Sequence, residues 1–344
     1  MDSFIKVQDK LSGHLQQCSE ELYSKLHQLQ VDELGMPESC LTYFKGSHFK
    51  RLFFSIQTSA HLLYKAISLT GKEPEQIVIM DYGAGVGTLY TLAKMIGCKQ
   101  VIYNDHLPEW KQSAQLIAEA IGLQVDHYFV GDIGPTLEEL KHRNIQCDVI
   151  TSRNVIEHIY QLDHFYSQVY QSQPQALVYC STTANYKNPA SRWKHKRWHE
   201  KWEPNYLAHR KEMIGQAAPA LNEGEISELA LRTRGLAHTQ ILEKVKYYQE
   251  TKQFPTAVNC GSNTCDPTNG VWAEHMLTFN EYRKLIGENK YKISFAPGFW
   301  DTHYNNGLMN LIGKILNIFI GSSSVFGFTV APFIYVISKP IPKS

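Results

Sequence analysis

Apolar residues near the start of the chain follow a helical period. Across residues 1–70 they recur three and four positions apart, which is typical of amphipathic helices. One stripe extends from Leu11 to Leu29, and a second helical run covers Phe44 to Ile67. We expect these helices to form a flank or lid on the domain that follows.

From Gln76 onward, short apolar runs alternate with helical stripes. Continuous apolar runs of this length are typical of strands that are buried on both faces of a parallel sheet. Strands that alternate with helices predict a doubly wound α/β sheet. The predicted strands are residues 77–80, 101–103, 127–130, 148–150 and 176–180.

The alternation stops after residue 184 and resumes near Thr278, which has capping-box spacing to Glu281. Two further strands are predicted at residues 291–296 and 330–337, with an apolar segment between them. We therefore divide the chain into a helical flank or lid (1–70), a core (71–184), an insertion after strand 5 (185–276) and a C-terminal part (277–344). Within the insertion we predict two short helices, one of them from Glu225 to Arg234, and we assign this region to acceptor binding or to a lid.

The composition limits the classes of partner and the cellular compartment that we expect. Lys+Arg number 34 against Asp+Glu 33, a net charge of +1, so we expect no broad phosphate-binding face and no nucleic-acid partner. Seven scattered cysteines indicate free thiols in a reducing compartment. The first residues show no basic segment followed by an apolar run, so we expect a cytoplasmic protein.

A glycine-rich turn follows the first predicted strand directly and precedes a helix. It places Gly83, Gly85 and Gly87 after the acidic residue Asp81. Glycines there let the backbone turn tightly and approach a ligand closely. A dinucleotide pattern started at Gly83 would need glycine where the chain has Thr88, and a carboxylate at Asp81 would repel a pyrophosphate but attract an ammonium group.

Two more acids lie at the ends of the next two predicted strands. Asp105 ends the second strand, where a carboxylate can accept hydrogen bonds from both ribose hydroxyls. Asp132 ends the third strand, where it can accept from an adenine amino group while Ile133 packs on the ring. The alternative is that both acids are ordinary turn residues. The ordered set of three acids on three successive strand ends favours a nucleoside site.

With these segments the chain resembles the class I methyltransferases that use S-adenosylmethionine (SAM). A further match, Asn154-Val155-Ile156-Glu157-His158, is similar to the "V-L-E-H" segment of small-molecule and lipid methyltransferases, with isoleucine for leucine. The resemblance covers residues 75–184 and 277–338. It implies a Rossmann-like seven-stranded sheet, mostly parallel with an antiparallel last strand. It also implies SAM as cofactor, bound by Asp81, Gly83, Gly85, Gly87, Asp105, Asp132, Ile133 and Asn154.

On the acceptor side, His158 is the candidate general base, because it follows the fourth strand on the cofactor-binding edge. A packing or capping histidine is the alternative. We expect no metal, although His195 with His199, or Cys260 and Cys265 with His275, are weaker possibilities.

Two segments outside the resemblance bear on the acceptor. Residues 192–202 carry five cations and three tryptophans. They could anchor to a membrane interface, clamp a phosphate-bearing substrate, stack on a sugar, or form an amphipathic helix with tryptophans in the core. The apolar segment Leu308 to Phe328 is too short to span a bilayer, which takes about twenty apolar residues. We expect it to contact a membrane peripherally, the alternative being that it packs on the N-terminal helices.

The sequence thus predicts a SAM-dependent methyltransferase, directed to oxygen on a lipid-like, lipid-linked or glycosidic small molecule, cytoplasmic and peripheral to the inner face of the membrane. The alternatives are a nicotinamide-dependent oxidoreductase on the same fold and a non-catalytic SAM-binding regulator.

Overall fold

The structure is a computed structural model that describes residues 3–322 and 324–342. Ser323, within the serine run that follows the apolar segment, lies outside the described residues.

Seven strands form one mixed sheet in the order β3-β2-β1-β4-β5-β7-β6. Strand β7 is antiparallel to both of its neighbours, and β1 to β5 pair in parallel. The Rossmann-like sheet with an antiparallel last strand is therefore confirmed. The strands are β1 (Val78–Tyr82), β2 (Gln100–Asp105), β3 (His127–Val130), β4 (Val149–Arg153), β5 (Leu177–Thr182), β6 (Tyr291–Pro297) and β7 (Ile334–Pro340).

Thirteen α-helices accompany the sheet in the described part of the chain. They are α1 (Lys10–Gln28), α2 (Glu38–Tyr43), α3 (Leu52–Thr70), α4 (Leu89–Met95), α5 (Pro108–Ala120), α6 (Ile133–His142), α7 (Leu162–Ser172), α8 (Pro189–Ala217), α9 (Glu223–Arg232), α10 (His238–Thr251), α11 (Phe279–Ile286), α12 (Gly307–Ser322) and α13 (Ser324–Val330). A π-helical turn at Phe44–His48 precedes α3. Because α13 takes residues 324–330, the last strand begins at Ile334 and not at Val330 as predicted.

The N-terminal helices are part of the main core. The apolar stripe of α1 and one side of α3 are buried together with α4 and one face of the sheet. Helices α6, α7 and α11 cover the opposite face. Residues 3–70 are therefore a structural layer of the sheet domain, which has no separate lid at this end among the described residues.

The insertion holds a small core of its own, built by α8, α9 and α10 around Ile214, Leu229 and Ile241. Helix α8 has 29 residues, and α9 and α10 are the two short helices that the sequence predicts in the insertion, the first at Glu223–Arg232 instead of Glu225 to Arg234. The basic, tryptophan-rich stretch continues directly into the rest of α8, because Pro204 in its middle does not end it.

The tryptophans of α8 face outward. Trp193 is 63% exposed, and Trp198 and Trp202 are also exposed, whereas His195 and His199 are buried. Arg197 lies over the Trp193 ring and Lys194 over the Trp198 ring. The interpretation that places tryptophans in the core is thus wrong, because the histidine face of the helix docks on the rest of the insertion.

Helix α12 presents its apolar side to the outside of the chain. Ile318 is 71% exposed and Leu308 is 65% exposed. The alternative that this helix packs wholly against the N-terminal helices is wrong. The exposed apolar side chains on this helix are Leu308, Met309, Leu311, Ile312, Ile315, Ile318 and Phe319.

The polar residues that interrupt the apolar run hold α12 to the protein. The amide group of Asn310 exchanges two hydrogen bonds with the backbone of Tyr304, at 2.7 and 2.8 Å. Asn317 does the same with Trp300, at 2.7 and 3.0 Å. Between them, a Cβ on Gly313 would come 2.5 Å from the carbonyl oxygen of Asp301, so the helix touches the preceding loop closely there. The usual arrangement of an amphipathic helix, with its apolar side inward, is reversed.

No helix among residues 3–322 and 324–342 is both long and apolar enough to cross a membrane.

The integration of the N-terminal flank can be tested within one helix. Leu63 is fully buried in α3, whereas Leu69 near its end is 45% exposed. We expect Leu63→Ala to lower the free energy of unfolding by about 2–5 kcal/mol, because it leaves a cavity in the main core. Leu69→Ala should change it by less than about 0.5 kcal/mol. Urea unfolding measures both, and equal midpoints would show that the flank is loosely attached.

Candidate functional site

A cavity of about 260 Å³ lies at the carboxyl ends of β1, β2 and β4. Parallel strands bring the residues that follow them to the same edge of a sheet, which is where open α/β sheets bind ligands. Six of the eight predicted cofactor residues line this cavity: Asp81, Gly83, Gly85, Gly87, Asp105 and Asn154.

The glycine-rich turn needs its glycines for different reasons. Gly83 has φ +69°, and a Cβ there would come 2.6 Å from Cγ2 of Val155. A Cβ on Gly87 would come 2.7 Å from the carbonyl oxygen of Ala84. A Cβ on Gly85, which has φ +52°, would meet only Trp110, at 3.9 Å. Gly83 and Gly87 thus permit the turn itself, and Gly85 leaves space inside the cavity.

Asp81 links the first strand to the helix after the turn. Its carboxylate accepts the backbone N–H of Tyr90, at the start of α4, at 3.2 Å. Burial raises the pKa of Asp81 to about 7, and the nearby Arg153 guanidinium opposes this rise. A positive ligand group in the cavity would favour the ionised form of Asp81 in the same way as Arg153.

Arg153, at the end of β4, connects the cavity to the N-terminal flank. Its Nη1 donates to the carbonyl oxygen of Ser55 at 2.6 Å, to Thr58 Oγ1 at 3.0 Å and to Ser59 Oγ at 3.1 Å. The Ser59 hydroxyl lies 2.9 Å from that of Thr88 in the glycine-rich turn. One half-buried cation therefore fixes α3 and the turn relative to each other.

Asp105 is buried at the end of β2 and holds the turn from the other side. Its Oδ2 accepts the N–H of Gly85 at 2.9 Å, and its Oδ1 accepts the N–H of Leu107 at 3.2 Å. Oδ1 also lies 3.2 Å from Nδ1 of His106, whereas Oδ2 keeps a further lone pair that can accept from a ribose hydroxyl. A hydrogen bond with Asp105 raises the pKa of His106, whose ring also lines the cavity.

Asp132 and Ile133 do not line the cavity. Asp132 is exposed at the end of β3, and Ile133 is buried in the core beneath α6. Asp132 is the N-cap residue of α6 and Ile133 is the first residue of that helix; both follow Gly131, whose N–H donates to the carbonyl oxygen of Asp105 at 2.9 Å. Their assignment to adenine stays a prediction.

Asn154 directs the chain out of β4. It has φ +58°, a left-handed conformation that asparagine tolerates better than most residues, and its N–H donates to the carbonyl oxygen of Ser181 at 2.9 Å. Its side chain is exposed and lines the cavity.

Among the residues of the cavity wall that sequence reasoning missed are Tyr43, His48, His106, Trp110 and Arg153. Tyr43 and Trp110 meet edge to face, with ring centroids 5.2 Å apart. His48 ends the π-helical turn, and burial lowers its pKa to about 3, so its ring is neutral. Turns of this type are frequent at functional sites, but the sequence carries no signal for one.

His158 lies four residues beyond Asn154 and does not line this cavity. Its Nδ1 lies 2.8 Å from the carbonyl oxygen of Trp272, in the insertion. This contact places the ring proton on Nδ1 and leaves the lone pair of Nε2 available. His158 as a general base stays a prediction.

The two histidines of the weaker metal candidate, His195 and His199, each bond a different group. His195 Nδ1 bonds the Ser191 hydroxyl, and His199 Nε2 bonds the carbonyl oxygen of Glu274. Cys260 and Cys265 are free thiols. The structure instead gathers Glu157, His158 and Glu274 into one group.

No protein-family model matches the chain, and no curated protein sequence matches it. Among solved structures, it is similar to an S-adenosylmethionine-dependent methyltransferase from Mesorhizobium loti, with 12% identity and a TM-score of 0.39 over 81% of this chain and 97% of that one. It is also similar to a ribosomal protein L11 methylase from Lactobacillus delbrueckii subsp. bulgaricus, with 19% identity and a TM-score of 0.29 over 36% of this chain and 60% of that one. These likenesses concern the fold and not the reaction. The strand order and directions described above establish the Rossmann-like seven-stranded sheet by themselves.

Two glycines with similar backbone conformations give a test of the turn. Gly83 and Gly122 have φ +69° and +75°, but only at Gly83 would a Cβ overlap a neighbour. Both alanine variants should lose about 1–2 kcal/mol of stability through the left-handed backbone. Gly83→Ala should lose more in urea unfolding, because the β-branched Val155 cannot yield easily. Equal losses would contradict the close contact between the turn and the loop after β4.

Proposed function

We propose that this protein is a SAM-dependent methyltransferase. The observation that carries the proposal is the cavity at the strand ends, where a glycine-rich turn and the buried carboxylates of Asp81 and Asp105 meet. The residues fit the cofactor, because Gly85 leaves open space where any side chain would intrude.

When bound, SAM supplies a methyl group on a positively charged sulfur. The carboxylate of Asp105 would accept a ribose hydroxyl through Oδ2, and that of Asp81 would add negative charge near an ammonium group. Methyl transfer depends mainly on holding the acceptor in line and excluding water. Arg153 contributes by fixing the flank, whose Tyr43 and His48 close one side of the cavity.

The alternatives are less well supported. A nicotinamide oxidoreductase would place a pyrophosphate beside the buried carboxylate of Asp81, which repels it, and Thr88 is engaged with Ser59 instead of being a glycine. A non-catalytic regulator needs no group that acts on an acceptor. This chain has the imidazole of His158 four residues after Asn154, which lines the cavity.

For the acceptor, we propose a lipid-like or lipid-linked molecule taken from a membrane surface. The support is the reversed orientation of α12, whose asparagines face the protein while its apolar side chains face outward. An exposed apolar face of this kind marks a lipid or partner site. The segment 307–330 contains no acidic residue, so nothing on it repels an anionic membrane.

The basic face of α8 favours a membrane over a protein partner. Asn188, which caps the start of α8, donates to the carbonyl oxygens of Val330, the last residue of α13, and of Ala331. The start of α8 and the end of α13 therefore lie next to each other. Residues 192–202 have five cations against one acid, with exposed tryptophans among them. Tryptophan and cationic side chains are favoured where lipid headgroups meet the hydrocarbon layer.

Label transfer tests the reaction directly. Methyl-labelled SAM is incubated with the protein and with lipid and glycan extracts, and the labelled product is identified. We expect label in an oxygen-methylated lipid, and His158→Ala should lower turnover by about 10²-fold or more while SAM still binds. If no extract leads to release of S-adenosylhomocysteine, the proposal that this protein catalyses methyl transfer is refuted. Turnover of His158→Ala within about twofold of wild type would show that His158 is not part of the site.

Cofactor binding is tested by calorimetry with SAM. We expect Gly85→Val to abolish binding, because its side chain fills the cavity. Asp105→Ala should weaken binding by about 1–3 kcal/mol through lost hydrogen bonds. Asp126→Ala is the matched control, since Asp126 also accepts a backbone N–H, from Val101, but lies outside the cavity. Wild-type affinity in both site variants would refute the assignment.

Membrane contact is tested by flotation with vesicles of phosphatidylcholine and phosphatidylglycerol. Leu311→Glu with Ile318→Glu should weaken binding by about 3 kcal/mol or more, because two apolar side chains no longer enter the membrane. Leu69→Glu with Leu231→Glu is the control, because it changes two exposed leucines elsewhere. Wild-type protein that stays at the bottom of the gradient, or a dimer in solution that hides α12, would overturn the membrane proposal.

A further inference from the structure

Three metal-ligating side chains meet beyond the cofactor cavity, between the sheet and the insertion. Glu157 is fully buried, Glu274 is buried and His158 is half-buried. One ligand atom of each lies within 4.8 Å of those of the other two. Within residues 3–322 and 324–342, no other group of three or more histidine, cysteine or acidic side chains comes so close.

The backbone fixes this arrangement from both sides. Glu157 and His158 follow β4, and a segment of the insertion pairs with them. The N–H of Trp272 donates to the carbonyl oxygen of His158 at 3.2 Å, and the N–H of His275 donates to that of Glu157 at 2.8 Å. Glu274 lies between these two contacts, so its carboxylate is held opposite the loop after β4.

The two carboxylates are incompletely satisfied. Oε1 of Glu157 accepts the N–H of Thr183 at 3.3 Å, but Oε2 of Glu157 and Oε2 of Glu274 are buried without a hydrogen-bond partner. No lysine or arginine in the described part of the chain forms a salt bridge with either one. His195 Nε2 lies 3.5 Å from Oε2 of Glu274 but makes no hydrogen bond. Buried charges without partners are costly, and adjacent carboxylates repel each other.

His158 has the orientation of a metal ligand. A ligating histidine commonly donates its other ring N–H to a carbonyl oxygen, which fixes the ring and the tautomer. Nδ1 of His158 makes that contact with Trp272, at 2.8 Å, and leaves Nε2 for the ion.

We propose that Glu157, His158 and Glu274 form a binding site for one divalent transition-metal ion, of the class of Mn²⁺ or Zn²⁺. Two carboxylates supply the charge that such an ion needs, and one imidazole nitrogen favours it over Mg²⁺ or Ca²⁺. The site ties the insertion to the edge of the sheet beside the cofactor loop. A His158 that ligates the ion cannot also act as a general base, so the loss of turnover expected for His158→Ala would then report a lost metal ligand.

Metal binding is measured on the full chain after removal of ions with a chelator. The stripped protein is titrated by calorimetry with Mn²⁺, Zn²⁺ and Mg²⁺ separately. We expect one Mn²⁺ or Zn²⁺ per chain and much weaker binding of Mg²⁺. Glu157→Gln and Glu274→Gln should each weaken Mn²⁺ binding at least tenfold. Glu139→Gln, which changes a surface carboxylate paired with Arg143, should leave it unchanged.

Thermal unfolding gives a second readout that needs no methyl transfer. Added Mn²⁺ should raise the Tm of the wild type by several degrees and leave the Tm of Glu157→Gln unchanged, because only the folded wild type binds it. Without metal, neither glutamine variant should unfold more easily than wild type, since each relieves repulsion between buried carboxylates. Stripped wild type that binds none of these ions, or variants that bind them as well as wild type, would overturn the proposal. SAM binding, measured separately, remains unaffected in either case.

Discussion

The guanidinium of Arg153 is the interaction on which the cofactor cavity depends. It donates to Ser55, Thr58 and Ser59 of α3. The same serine hydroxyls reach Thr88 in the glycine-rich turn. A cation withdrawn from water needs several partners, and within the described part of the chain the hydrogen bonds of this guanidinium all go to α3 in the N-terminal flank. The flank therefore belongs to the site itself, and the π-helical turn that precedes α3 brings Tyr43 and His48 to the cavity wall.

Two other features extend from this centre toward the acceptor. The insertion contributes Glu274 to a buried group with Glu157 and His158, directly after the loop that lines the cavity. Helix α12 turns its asparagines toward the protein, because their side-chain amides satisfy the backbone of the preceding loop. Its apolar side is left exposed, and we propose a lipid surface as its partner. The proposed cofactor, metal and membrane sites thus lie on parts of the chain that the sheet brings together.

The sequence predicted what depends on local pattern. Strand β3 was placed at its observed residues, and the glycine-rich turn with Asp81 and Asp105 was recognised, because strand ends of a parallel sheet share one edge. It did not predict what depends on contacts between distant segments. The pairing of Glu274 with the loop after β4 spans more than a hundred residues of sequence. The orientation of α8 was left open, because tryptophans and histidines alternate along it and only docking decides which face is buried.

The central claim is that the glycine-rich turn and the N-terminal flank form one cofactor site. Amide hydrogen exchange with and without SAM tests it most directly, because it reports both segments in the same protein. We expect SAM to slow exchange in residues 83–90 and 105–110, and also in 43–59 through the contacts of Arg153. Protection confined to the turn would contradict the role of the flank, and no protection in any of these segments would contradict the site itself.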